Sequence, residues 1–118
     1  MAQNELAPGI GEYLAVPSGV KSGNPVLIGA TLVGVAQTDR DSAGYATVQI
    51  RPGTIWNLSV KGVDGGGNSA VAIGDKLYIT LADTPPISKK TSGVLFGKAL
   101  GAVTGGATAT IPVELVQV

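Results

Sequence analysis

The chain has 118 residues, 44% of them apolar but only 4% aromatic, with 18 glycines, seven prolines, no cysteine and no histidine. Eight basic and eight acidic residues cancel, so no net field draws in a phosphate backbone, an anionic membrane or an acidic substrate. The missing cysteines exclude disulfides, thiolate nucleophiles and Cys-based zinc sites, and the missing histidines remove the commonest general base and metal ligand near neutral pH.

A chain of this length holds one domain around one core. With so few aromatics, that core is built from Val, Ile, Leu and Ala between glycines, the composition of a strand-and-turn protein. Charged residues are 14% of the chain, against roughly 25% in an average soluble domain, which points to a surface partly covered by other protein. The segment Met1 to Pro8 has neither a basic n-region nor an apolar h-region. No stretch approaches the roughly 18 apolar residues of a membrane span. The expectation is a protein made in the cytoplasm and not exported by a signal of its own.

In chain order, residues Met1 to Ile10 are small and polar, interrupted by Pro8 and Gly9, and read as an N-terminal arm. Residues 11–118 read as a single β domain. Glu12 to Val16 is a short strand closed by the turn chemistry of Pro17-Ser18-Gly19. Pro25 opens the strand Val26 to Ile28, Gly29-Ala30 turns, and Thr31 to Ala36 returns. After the charged loop Thr38 to Gly44, Tyr45 to Ile50 alternates with period two, placing Ala46, Val48 and Ile50 on one face. In the next run, Thr54 to Val60, Trp56, Leu58 and Val60 share a side and Ile55 faces the other way.

Lys61 to Ala70 carries four glycines and reads as a loop too flexible to be ordered without a partner, with Asp64 to Asn68 as a hairpin tip or mobile loop. A second set of strands then begins at Gly74-Asp75. Its internal loop, Ala82 to Ser92, is much longer than the Gly29-Ala30 turn, and Lys89-Lys90 reads as its solvated tip. Val94 to Leu100 is a Gly-centred strand. The final run from Thr108 to Val118 alternates, and Pro112 within it calls for an edge or a bulge.

The pattern is doubled. Gly23-Asn24-Pro25-Val26-Leu27-Ile28 is answered by Gly74-Asp75-Lys76-Leu77-Tyr78-Ile79, each followed by a Gly-centred apolar strand and then an alternating strand. No segment sustains apolar spacing at 3.6 residues. The fold class is therefore all-β: a small barrel, β-tulip or jelly-roll-like sandwich of about eight short strands with a pseudo-repeat.

Little in the chain bears chemistry. Asp39 and Asp41 are close in sequence, but Arg40 between them favours a solvated loop over a Ca²⁺ site. Gly93 to Ala99 has the look of a phosphate loop but is one residue short and lacks the hydroxyl after Lys98. Serines have no histidine to activate them. The expectation is no enzyme, no metal and no cofactor. Trp56, the single tryptophan, reads as a core or interface anchor.

The doubled Gly-[Asn/Asp] turn, Gly34-Val35-Ala36, and Gly97-Lys98-Ala99-Leu100 with its following Gly-rich turn and alternating strand resemble the small tailed-phage capsid decoration, or cement, proteins. The resemblance covers about Gly11 to Val118. It implies a structural virion protein, a homotrimer or homodimer, on the outer surface of the expanded capsid, with the major capsid protein as its partner. It transfers no catalytic residue and implies no nucleic acid or membrane partner. On this reading the arm makes its contacts through Leu6 and Ile10, with Tyr13 beside it, Trp56 serves a subunit or shell interface, and the edge at Ile111 to Val118 is open to a neighbour's sheet. The alternatives are another virion component, such as a tail-tube or connector barrel, and a non-catalytic glycan- or peptide-binding module; five aromatic residues speak against the latter.

Overall fold

The computed structural model describes residues 12–29 and 31–116. Among them are eleven strands and no helix. Strands β1 (Glu12–Ala15), β2 (Pro25–Ile28), β3 (Leu32–Ala36) and β4 (Tyr45–Gln49) form an open antiparallel sheet in the order β1-β4-β3-β2. β5 (Ile55–Lys61), β8 (Lys76–Ile79), β9 (Ile87–Ser88), β10 (Val94–Ala99) and β11 (Thr108–Leu115) close into a barrel in the order β10-β11-β5-β9-β8. β6 (Val63–Asp64) and β7 (Gly67–Asn68) make a small hairpin between β5 and β8 in the chain. The all-β barrel expected from the sequence is what the chain forms.

The doubling is physical and runs deeper than the turn motifs. Gly23 donates its amide to Ala36 O at 2.7 Å and Ala36 N donates to Asn24 O at 2.9 Å; in the second half Gly74 donates to Ala99 O at 2.7 Å and Ala99 N to Asp75 O at 2.9 Å. Both glycines sit at positive φ, 88° and 94°, where a side chain is strained. The register agrees strand by strand. Val35 faces Gln49 and Ala36 faces Val48, as Lys98 faces Glu114 and Ala99 faces Val113. Arg40 N bonds Val20 O as Val103 N bonds Val71 O. Even β1 has its counterpart in β5, since Tyr13 opposes Thr47 and Asn57 opposes Pro112. Sequence reading missed this last pair because Glu12 to Val16 and Trp56 to Val60 share only alternation.

Burial follows the same correspondence. The barrel encloses Leu58, Val60, Leu77, Ile79, Ile87, Phe96, Ile111, Val113 and Leu115. Each such side chain contributes roughly 1.5–3 kcal/mol of transfer free energy. The open sheet gathers Val16, Val20, Val26, Ala36, Ala46 and Val48 into a smaller cluster, edged by half-buried Leu14, Ile28 and Ile50. The opposite face of β3 belongs to the barrel: Val33 and Val35 join the large cluster, so the two halves share packing.

Several expectations are corrected. β11 is not an edge, because β10 pairs with one side of it and β5 with the other. Pro112 is tolerated there because its carbonyl accepts from Leu100 N at 2.9 Å, one residue beyond the end of β10, so its missing N–H falls where the ladder has run out. Lys61 to Ala70 is organised as the β6–β7 hairpin, with Ser69 N and Gly106 N both donating to Gly62 O, at 2.9 and 2.7 Å. The count of about eight strands holds for the longer ones; the three two-residue strands give no periodicity to read. The arm residues 1–10, with Leu6 and Ile10, lie outside the described residues.

Candidate functional site

Tyr13 lies on the outer face of β1 and is 60% exposed. Because it opposes Thr47 while Ala15 opposes Tyr45, Tyr13 and Tyr45 are diagonal neighbours on one face. Their rings stack with centroids 5.1 Å apart and planes 16° from parallel. The Tyr13 hydroxyl donates to the carboxylate of Asp41, whose Oδ1 also accepts the amides of Ala43 (2.9 Å) and Tyr45 (3.0 Å). The Tyr13 hydroxyl and then the Tyr45 amide hold the Asp41 carboxyl below its ordinary range. The same hydrogen bond, then desolvation and the charge of Asp41, push the Tyr13 phenol up. The result is an exposed aromatic plate fastened to its loop.

Asp39 is used differently, accepting the amide of Ser22 at 2.8 Å. Both aspartates tie loops in place, in keeping with the loop reading, and no group of three or more metal-ligating side chains occurs among the described residues. Arg40 runs back across the end of the smaller core and donates from Nε to Val16 O at 3.2 Å.

Trp56 is half-buried against the barrel core, and its indole N–H donates to Thr54 Oγ1 at 2.9 Å. It lies on β5, whereas Tyr13 lies on β1 of the other sheet; the structure does not bring these two sequence-selected residues together in one pairing. Beside Trp56, Ile55 is 60% exposed, and Ile73 and Leu81 are exposed as well. The last two went unselected in the sequence, where they read only as neighbours of the Gly74 turn and the long loop.

A cleft of about 470 Å³ opens between the β6–β7 hairpin and the Asp83–Pro85 segment, lined by Lys61, Asp64, Gly66, Asp83, Pro85 and Lys90 among others. Its charges are largely internal. Lys90 pairs with Asp83 at 2.8 Å. Next to it Lys89 donates to Ala70 O at 2.9 Å and to Ser69 Oγ at 3.1 Å, and pairs with Asp75 at 3.4 Å. Lys89 and Lys90 are therefore braces between loops, not the solvated tip the sequence suggested. The Ala72 amide lowers the Asp75 carboxyl, desolvation opposes it, and the Lys89 ammonium adds to the lowering. Gly93 to Ala99, which has the look of a phosphate loop, is a bend at Gly93 followed by the whole of β10.

The exposed Tyr13, Tyr45, Ile55, Ile73 and Leu81 offer contact surface. No helix among the described residues is long and apolar enough to cross a membrane. Comparison with curated proteins and with solved structures gives no match. The family model for phage cement protein matches residues 10–115, which takes in both halves of the duplication, and the chain belongs to the phage cement protein family, structural components of the phage particle.

Proposed function

We propose that this protein decorates the outer surface of the expanded phage capsid and stabilises contacts between major capsid subunits, acting as a homo-oligomer, most simply a trimer. The observation that carries the reading is the family match across residues 10–115. The closed barrel supports it, since a barrel has no free strand edges and resists deformation. The low charge content supports it too, as does the exposed Tyr13–Tyr45 plate. Leu6, Ile10 and Tyr13 are assigned to the arm's contacts at a capsid or subunit interface, and Trp56 to a subunit or shell interface. Many equivalent contacts on a lattice add through multivalency, so each need be only modest.

The test is the copy number of the protein in purified particles relative to the major shell protein. A comparable number supports decoration; a handful of copies places it in a tail or connector. Deleting residues 1–10, read here as an arm separate from the domain 11–118, leaves the barrel folded by circular dichroism and weakens attachment to stripped particles. Full attachment of the truncated protein removes the arm from the contact.

A further inference from the structure

Among the described residues the second half carries strands the first lacks, the β6–β7 hairpin and β9, and of these only β9 takes part in closing the barrel. In the barrel, Ile87 of β9 lies beside Val60 and opposite Ile79, and around it Leu58, Ile79 and Leu115 are buried. The matching residues of the open sheet, Leu14, Ile28 and Ile50, are only half-buried. Among the described residues no strand joins β1 to β2. The receiving edge is nonetheless present. Asn24 O accepts from Ala36 on the β3 side, so alternation turns Leu27 and Gly29 away from β3. The corresponding residues Tyr78 and Thr80 turn toward β9, where Tyr78 faces Ser88 and Thr80 N donates to Pro86 O at 2.8 Å. Pro17 stands where β5 has Lys61 and has no N–H to give, so pairing at this place falls to the β2 edge.

We infer that this edge accepts an extended apolar segment antiparallel to β2, and that the segment is residues 8–11 of a second copy of the chain. Pro8-Gly9-Ile10-Gly11 repeats the Pro-x-Ile spacing of Pro85-Pro86-Ile87-Ser88, and no charge falls between Leu6 and Gly11. In the register of β9, Ile10 lies opposite Ile28 and covers Leu14 and Ile50. Gly9 O accepts from Gly29 N, and Pro8, like Pro85, has no donor to lose. The segment comes from another copy for a geometric reason. The place to be filled is beside Val16, about 13 Å along an extended strand from Glu12, whereas Ile10 and Glu12 are two residues apart and span at most about 7 Å. The inference concerns how copies join one another and holds whether or not the assembly then binds a shell.

The chain contains no cysteine, so introduced thiols are unambiguous. Full-length Ile10→Cys and Ile28→Cys proteins, mixed and oxidised, give a disulfide-linked dimer of about twice 11.7 kDa, formed far less by either variant alone. Facing residues of a non-hydrogen-bonded antiparallel pair are close enough for the bond. A mixture that yields no cross-linked dimer overturns the inference. A second measurement guards against misfolding of the Ile28 variant: light scattering finds the unmodified protein above the mass of one chain and Ile10→Asp at one-chain mass with unchanged circular dichroism. Unmodified protein at one-chain mass, or Ile10→Asp still at the higher mass, overturns it equally.

Discussion

At Gly97 an added Cβ would stand 2.3 Å from Glu114 O, and at Gly34 it would stand 2.6 Å from Gln49 O and 2.7 Å from Val48 Cγ1. The obstacles are mainly backbone of the adjoining strand, which cannot swing aside as a side chain can. Gly97→Ala and Gly34→Ala each destabilise by roughly 2–3 kcal/mol in urea unfolding, whereas Gly65→Ala, which meets nothing within 4 Å, stays within about 0.5 kcal/mol. The sequence displayed both glycines at the centres of matched strands but not their purpose, because close approach of the paired strand has no local signature. Tyr13 was legible as a surface residue; its partner Asp41 was not, since they lie 28 positions apart. Their pairing has a pH signature. The lowered carboxyl of Asp41 makes a contribution present above the ordinary carboxylate range and lost as pH falls through the lowered value. The raised phenol of Tyr13 makes one present below the ordinary phenol range and lost as pH rises through the raised value. Asp41→Asn is therefore less stable than the unmodified protein near neutrality, and the difference in thermal midpoint closes at the acid end.

Among the elements, β9 has the most effect for its size. It has two residues, yet it alone joins β5 to β8, and Ile87 is fully buried. Ile87→Ala costs about 2–4 kcal/mol by denaturant titration, as much as a loss from a long central strand; a cost under about 1 kcal/mol shows that the barrel closes without it. In the sequence this strand is hidden inside Asp83-Thr84-Pro85-Pro86-Ile87-Ser88, where prolines announce a turn and two residues cannot display alternation. The longer strands were legible because Val, Ile and Leu recur at every second position between Gly and Pro turns. The reading of β11 as an edge failed for a related reason: Pro112 reports only that one amide is missing, and whether a strand has two neighbours is decided by residues far off in the chain, here Asn57, 55 positions away. The β6–β7 hairpin was half-legible, with Asp64 Oδ1 accepting the amide of Gly66 at 2.8 Å to form the turn that the glycines permit.

On the scale of the whole molecule, the two halves share Val33 and Val35 of β3 as part of the barrel's core, so exposing one half uncovers the other. Unfolding monitored by Trp56 fluorescence, which senses the barrel, and by near-ultraviolet tyrosine dichroism of the Tyr13–Tyr45 stack, which senses the open sheet, follows one transition with a common midpoint. Two separated midpoints would mean that the packing between halves is weaker than the packing within them. The duplication was visible in the sequence through its glycine turns, and the closure of only one copy was not, because the difference resides in the loop after Ile79 and in what that loop reaches. The matched hydrogen bonds at Gly23 and Gly74 give the molecule an internal standard. Any substitution at Gly34 has its twin at Gly97, in the same chain, solvent and temperature, and Val26 has its twin at Leu77. The difference between twin measurements isolates what ring closure contributes to rigidity, a quantity that ordinarily requires comparing two unrelated proteins.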